Sequence, residues 1–454
     1  MDPTLCAVTN GLVTPKTPGI PRSTLPNHYG DFEPRIGIAW QPQAVKNLVI
    51  RSGFGIFAGR DALSQTSSLG QQLPSDIVAN VTSGTFSSLG PFNFSTPQPP
   101  ARIFALGNPY DSPTTYQYHV GVQYQLGNST AFDVSYVGNH GIHLGRNRNI
   151  NQLSDANRLA LINSTLTNTP DAFRPFLGYN VINYNERAGA SRYNSVQVGV
   201  NHRMSHGLQM QASYTHSRNI SNTANQDTEA AFAPVQNAFD LRSEKALANQ
   251  DTPNSLSVNY IWEIPFFSKS HGIVRQAIYG WKIVGISTWR SGLPFNVCLD
   301  ADVAGTGTGA GAYECQRPDL VGNPNLSKSR RTLAQYFNTA AFAEPQLGTF
   351  GNAGRNVVRG PGINNWDLSF FKDFEIPWFG RHNGWAAGET AKLEFRSELF
   401  NAFNHPQYSL GNAGNTITFV TQGSGLAAAP GSGFGTITSD HGPREIQLAL
   451  KLIW

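Results

Sequence analysis

Tyr116-Gln117-Tyr118-His119-Val120-Gly121-Val122-Gln123-Tyr124-Gln125-Leu126 carries Tyr, Tyr, Val, Val, Tyr and Leu at its even positions and Gln, His, Gly, Gln and Gln at its odd ones. Successive side chains of a strand point to opposite faces, so this stretch reads as a ribbon with one apolar and one polar side. Its length is what a tilted strand needs to cross a bilayer. Gly127-Asn128 then supplies a turn, and Phe132, Val134 and Tyr136 resume the apolar set against Ala131, Asp133 and Ser135, which makes a hairpin.

The same unit recurs along the chain. Val196, Val198 and Val200 stand against Gln197, Gly199, Asn201 and Arg203; after Ser205-His206-Gly207, Leu208, Met210, Ala212 and Tyr214 stand against Gln209, Gln211, Ser213 and Thr215. Further members are Ile36, Ile38 and Trp40; Ile50 to Phe57; Leu256, Val258, Tyr260, Trp262 and Ile264; Trp366, Leu368 and Phe370; and Leu393, Phe395 and Leu399 against Lys392, Glu394, Arg396 and Glu398. With weaker candidates this predicts about a dozen strands. Tight turns alternate with long polar stretches near 60–110, 150–190, 217–252, 297–335 and 405–433, and short turns on one side with long loops on the other is the asymmetry of outer-membrane barrels.

Composition narrows the choice. Gly (45) and Pro (28) are frequent in the 454 residues and only 14% are charged, which argues against helical bundles and coiled coils. A net charge of +4 with no long like-charged run excludes the footprint of a nucleic-acid binder, so no nucleic acid is expected as a partner. The most basic stretch, Arg146 and Arg148 among asparagines, reads as a solvated loop. Three cysteines exclude a disulfide scaffold; Cys298 and Cys315 flank a Gly-rich loop and would suit one bridge in an oxidising compartment, with Cys6 left over. Met1-Asp2-Pro3-Thr4 opens no signal peptide. No run of 18 apolar residues occurs and mean hydropathy is -0.30, so a transmembrane helix is excluded. A transmembrane β-barrel is not, because its lipid face uses every second residue.

A soluble sandwich also alternates, and the faces separate the two. A sandwich core asks for Val, Ile and Leu, whereas here the apolar face is rich in Tyr and Trp near strand ends and the other face holds Gln, Asn, Ser, Gly and paired charges. Aromatic residues at both ends of an apolar band are what a lipid interface selects. The last strand, Ile446, Leu448, Leu450, Leu452 and Trp454, alternates with Gln447, Ala449 and Lys451 and ends on the aromatic, which looks like the signal by which outer-membrane barrels are recognised by the assembly machinery. The predicted fold is therefore all-β: a transmembrane antiparallel β-barrel, partial at about a dozen strands, with long extracellular loops and outer-membrane lipid around it.

Several motifs together resemble a known family. Phe32-Glu33-Pro34-Arg35-Ile36-Gly37-Ile38-Ala39-Trp40, Ile50-Arg51-Ser52-Gly53-Phe54-Gly55-Ile56-Phe57, Tyr136-Val137-Gly138-Asn139-His140-Gly141 and Ser291-Gly292-Leu293-Pro294-Phe295 are four of them. Gly280-Trp281-Lys282, Arg317-Pro318-Asp319, Gly322-Asn323-Pro324, Tyr336-Phe337-Asn338-Thr339-Ala340-Ala341-Phe342 and the run from Arg355 to Asn365 with Asp367-Leu368-Ser369 follow in order. Phe395-Arg396-Ser397-Glu398-Leu399-Phe400-Asn401-Ala402-Phe403-Asn404-His405-Pro406 completes the set. The match resembles the Oar-like β-barrel of TonB-dependent outer-membrane transporters, specifically its C-terminal part. That resemblance implies that residues 1–454 are the C-terminal part of a larger barrel of about 22 strands. It also implies a signal peptide, plug and N-terminal sandwich domain that this sequence does not display, and contact with the TonB complex only through that other part.

Other chemistries find little support. Gly305-Thr306-Gly307-Thr308-Gly309-Ala310-Gly311 is followed by no helical period and reads as a surface loop, not a dinucleotide site. His140 and His143 have no third ligand at metal spacing, and there is no G-x-S-x-G elbow. Glu263, Asp133 and Asp373 have no fixed separation that would make them a glycosidase pair. No cofactor, metal or enzymatic activity is expected. Candidate lumen-facing ligand contacts are Gln117, His119, Gln123, Lys392, Glu394, Arg396 and Glu398, although the last four read better as a ladder of lumen ion pairs with neighbouring strands. Uptake of a ligand, with an oligosaccharide preferred, is the leading functional reading; a non-transporting adhesion barrel and a soluble carbohydrate-binding domain are the others.

Overall fold

The computed structural model describes residues 30–59, 101–107, 110–163, 170–223, 235–266, 277–299, 301–307, 315–376, 391–409, 416–419, 434–437 and 439–453, together with residue 18. Eleven strands follow one another as an up-and-down meander. They are β1 Arg35–Trp40, β2 Leu48–Ala58, β3 Thr114–Leu126, β4 Thr130–Asn149, β5 Tyr179–Ser205, β6 Leu208–Ser221, β7 Asn254–Glu263, β8 Trp281–Arg290, β9 Ile363–Ile376, β10 Ala391–Phe400 and β11 Glu445–Ile453. Each pairs antiparallel with the next. Two short strands join at the side: Ala101–Leu106 runs parallel to β5 and Ala246–Leu247 antiparallel to β6. Among the described residues no pairing joins β1 to β11, so the described sheet is a wall with two edges.

The turns have local causes. His206 (φ 52°) and Gly207 (φ 80°) form the two-residue turn between β5 and β6, and two positive φ values are what a hairpin turn matching strand twist requires. All connections at that end place β11's C-terminus beside them, while the opposite end receives the long connections. In an outer-membrane barrel these are the periplasmic and extracellular ends respectively.

Packing on the apolar face is layered. At the loop end, Tyr118 and Tyr136 both donate to Asn194 Oδ1 (3.2 and 2.7 Å), Tyr214 donates to Asn254 Oδ1 (2.8 Å), and Trp289 meets Trp366 edge-on with ring centroids 4.8 Å apart. At the turn end, Trp281 meets Phe395 and Trp262 meets Phe266, each at 6.2 Å. Between these levels lie Val120, Val122, Val134, Val196, Val198, Val200, Ala212, Val258, Ile283, Leu368 and Phe370. Eight residues separate Trp281 from Trp289, about 26 Å of strand, which a tilt near 40° projects to about 20 Å, close to the apolar height of such a wall. Val120, Val122, Tyr124, Phe132, Val134, Tyr136 and Val196 are exposed, not sealed in a core. The one cation at the outward positions of β8, β9 and β10, Lys372, lies opposite Trp281 and Phe395, and its ammonium turns to the Tyr279 carbonyl near the turn end. A long side chain that reaches the interface in this way avoids the cost of a charge in hydrocarbon.

The expected loop spans need correction. β4 and β5 run for 20 and 27 residues, well past a membrane crossing, so the predicted loop near 150–190 already contains strand from Tyr179. Arg146 and Arg148 are not in a solvated loop: Arg146 is 6% exposed, and both bind Glu186 on β5, at 2.7 and 3.0 Å. Outside lipid a strand needs no apolar face, and His143 (φ 54°) breaks the register between β4 and β5, so the alternation that marks the membrane part stops there. The 217–252 loop likewise begins later, since β6 continues to Ser221.

Candidate functional site

The polar face of the wall is the first element of the site. Gln117, His119 and Gln123 lie on this face of β3, with His119 packed over Gly53 of β2. Gln123 is registered with Asp133, Gly121 with Ser135, Ser135 with Gln197, and Gln197 with Thr215. From β3 to β6 this face is therefore mostly a lattice of amides and hydroxyls, with Asp133 and, near the turn end, Arg203 as its charged members, suited to hydrogen-bonding a polar solute or water.

The other candidates lie on β10, tenth in the meander where β3 is third, so the two sets do not form one site. Lys392 is registered with Glu375, Glu394 lies between Asp373 and Lys451, Arg396 between Phe371 and Ala449, and Glu398 between Ser369 and Gln447. Opposite charges meet in register at Lys392–Glu375 and Glu394–Lys451, while Asp373 faces Glu394 with like charge; the bond Arg396 makes runs along its own strand, from Nε to Glu394 Oε1, and its guanidinium lies 5.3 Å from the Phe371 ring centre. A cross-strand ion pair is made between β8 and β7 by Lys282 and Glu263, at 3.3 Å. Glu263 is thereby a lysine's partner, and Asp133 and Asp373 sit on β4 and β9, so these three carboxylates are not a catalytic pair.

The second element is a headpiece at the loop end with a core of its own. Strand Pro294–Leu299 is buried on both sides, pairing antiparallel with Val358–Arg359 and parallel with Thr416–Phe419. Phe337 sits at the centre, with Phe295, Phe342 and Phe434 rings 5.8, 6.0 and 5.2 Å away. Cys298 is joined to Cys315 by a disulfide, with Cα atoms 5.1 Å apart. Asp302 ties the start of the glycine loop by accepting from the Thr306 and Gly307 amides at 2.8 and 2.7 Å, and Gln316 donates to the same carboxylate at 2.6 Å. The rest of that loop, Thr308 to Gly311, lies outside the described residues, as do Cys6 and Trp454.

Buried polar side chains bind the loops to one another. Gln152, from the β4–β5 connection, donates to Gln236 O and accepts from the Ala238 amide; Gln236 in turn accepts from the Arg317 amide at 2.6 Å. Arg317 then holds Glu244 at 2.9 Å. Arg355, 4.0 Å from the same carboxylate, donates to Ser221 O at the end of β6. Burial is the main force on Arg355, pulling its pKa down to about 10, with Glu244 opposing and Arg317 adding to the shift. Asp251 receives Arg359 at 2.5 Å. These residues carry no local pattern; Arg317 and Arg355 stood out only within the family-like motifs, and their partners are 73 to 134 positions away.

On β11, Ile446, Leu448, Leu450 and Leu452 face the apolar side, with Leu452 registered to Leu393 and Leu450 to Phe395. Leu448 is 69% exposed. His140 Nδ1 donates to Ser191 O (3.1 Å), and among the described residues no group of three or more His, Cys, Asp or Glu is placed to hold a metal.

Residues 1–447 match the family described as Outer membrane beta barrel domain. No curated protein matches the chain significantly. Among solved structures, the outer membrane transporter YddB from Escherichia coli is similar at 10% identity with a TM-score of 0.43, covering 87% of this chain and 39% of that one. P. aeruginosa FpvA, in a complex with a heterologous pyoverdine and iron, is similar at 11% identity and TM-score 0.39, covering 93% and 32%. The siderophore receptor PiuA from Acinetobacter baumannii is similar at 8% identity and TM-score 0.38, covering 92% and 35%. The chain spans about two-fifths or less of the length of these structures.

Proposed function

The chain belongs to the outer membrane beta barrel domain family, and on that premise we propose that it forms the wall and headpiece of a receptor that moves a ligand across the outer membrane. The observation that carries this reading is the pairing of a polar inner face with loops that fold into a packed body at the outer end. Loops kept only for solvation need no core, whereas a body centred on Phe337 and braced by a disulfide presents a fixed surface for capture. The amide and hydroxyl lattice of β3 to β6 favours an uncharged, hydroxyl-rich cargo such as an oligosaccharide.

The motif resemblance to Oar-like TonB-dependent transporters supports energy coupling through TonB, with residues 1–454 as the C-terminal part of the larger barrel and the β11 apolar face as its assembly signal. The test is uptake. Cells with the gene deleted or restored are given labelled oligosaccharides and peptides, with the proton-motive force intact or dissipated. Accumulation of one class that requires both gene and force supports transport; equal accumulation in all strains overturns it. Capture at the cell surface that ignores the force would favour the adhesion reading, which the braced headpiece also suits.

A further inference from the structure

We propose that the outward face of β4, β5 and β6 carries a binding site for the phosphate group of an outer-leaflet lipid, built from Arg192 and Arg218 with His140 beside them. Arg192 is registered with His140 on one side, and Asn194, two residues on, is registered with Arg218 on the other. Arg192 and Arg218 are thus diagonal neighbours on one face, with Cα atoms about 7–8 Å apart by sheet geometry. Their face is fixed by Asn194, which receives the hydroxyls of Tyr118 and Tyr136 and continues into Val196, Val198 and Val200. The site therefore stands on the lipid side, not in the lumen.

Depth identifies the occupant. The tyrosine hydroxyls at Asn194 end the apolar band, and Arg192 lies two residues beyond, about 7 Å further toward the loops. That is where the headgroups of the outer leaflet begin. Arg192, Arg218 and His140 are exposed, and among the described residues neither guanidinium makes a hydrogen bond or ion pair. The outward positions of these three strands, Thr130 to His140, Arg192 to Met204 and Leu208 to Ile220, contain no Asp or Glu. Like charges side by side without a counter-ion are unfavourable, and a phosphate relieves this by taking two N–H donors from each planar guanidinium. On β8, β9 and β10 the corresponding outward positions hold Lys372 as their cation, buried at the opposite end, so the feature is local to this stretch.

The inference rests on outer-membrane placement and is independent of whether the barrel transports anything. The full chain, purified in a mild detergent, is titrated with diphosphoryl lipid A, monophosphoryl lipid A and phosphatidylcholine, and retained lipid is counted by native mass spectrometry. Diphosphoryl lipid A should be retained in preference to phosphatidylcholine, and the Arg192→Gln/Arg218→Gln double variant should bind it about tenfold more weakly. Arg51→Gln, on the lumen face of β2, should not change retention. Arg192→Lys/Arg218→Lys, which keeps the charge but not the planar fork, should retain the lipid more tightly than the glutamine variant and less tightly than the wild type, and covers the case in which the glutamine variant folds poorly. Wild-type retention of diphosphoryl lipid A by the folded double variant, or equal retention of phosphatidylcholine by the wild type, overturns the proposal.

Discussion

Tyr118 lies flat over Gly138 on the outward face, filling the place where a Cβ of Gly138 would stand. The two residues are directly opposed between β3 and β4, and the ring covers backbone that the glycine leaves bare while its hydroxyl reaches Asn194. Tyr260 covers Gly285 between β7 and β8 in the same way. Replacing Gly138 by Ala should push the Tyr118 ring off its seat and cost about 1 kcal/mol, the value of a good cross-strand aromatic pair. Gly199, where an added Cβ would meet Asp133 Cβ at an ordinary 3.5 Å, should accept Ala at no cost. Denaturant midpoints for the chain folded into lipid vesicles measure both; equal losses at the two positions would discard the ring-over-glycine account.

Val122 and Gln123 are adjacent residues on opposite faces of β3, and this pair tests which face meets hydrocarbon. Arginine at Val122, near the middle of the band, should cost about 2–4 kcal/mol of folding free energy in vesicles. Arginine at Gln123, on the lumen side, should stay within about 0.5 kcal/mol of wild type. The reverse order would mean that the lattice of amides, not the valines, faces lipid.

How much of this was legible depends on the solvent each residue meets. In the bilayer the lipid face must be apolar and the lumen face wet, so β3, β5, β6 and β10 announce themselves by period-two patterning. β8 does not: Trp281, Gly285, Ser287 and Trp289 face outward while Ile286 faces the other way, 52% exposed. Its outward face is completed by Tyr260 over Gly285 and by burial of Ser287, contributions from neighbours that no local pattern carries. The outer halves of β4 and β5 escaped for the opposite reason, since strand outside lipid is free of the patterning rule. The headpiece was least legible. Arg158 on helix α1, Asp155–Ile162, reaches Gly348 O across 190 positions, and such contacts follow from loops meeting in space, not from spacing.

Cys298 and Cys315 close a loop of 17 positions within the headpiece. Constraint of the unfolded loop at this length is worth about 3 kcal/mol. The Cys298→Ala/Cys315→Ala variant should lose amide-exchange protection around Phe295, Val297 and Leu299 while β3 to β6 keep theirs, because those strands share no residue with the loop. Uniform loss of protection across the wall would show that headpiece and wall unfold together.

Glu244 supplies the negative charge between Arg317 and Arg355, all three nearly buried. Removing it by Glu244→Gln leaves two guanidinium groups facing each other in a low-dielectric setting, and an uncompensated buried charge costs about 3–5 kcal/mol. The loss should fall on the headpiece: faster proteolysis in the loops after Ser221 and Arg290, with heat-modifiable migration of the wall unchanged. Arg355 already holds its proton less firmly than usual because of burial, so with the acid gone it should loosen further, and its contact with Ser221 O should weaken first. A Glu244→Gln/Arg317→Met variant, which removes both members of the 2.9 Å pair and keeps the Arg355 bond to Ser221 O, should regain at least half of the loss. If the single and double variants are cleaved at the same rate, the ion pairs do not hold the headpiece to β6.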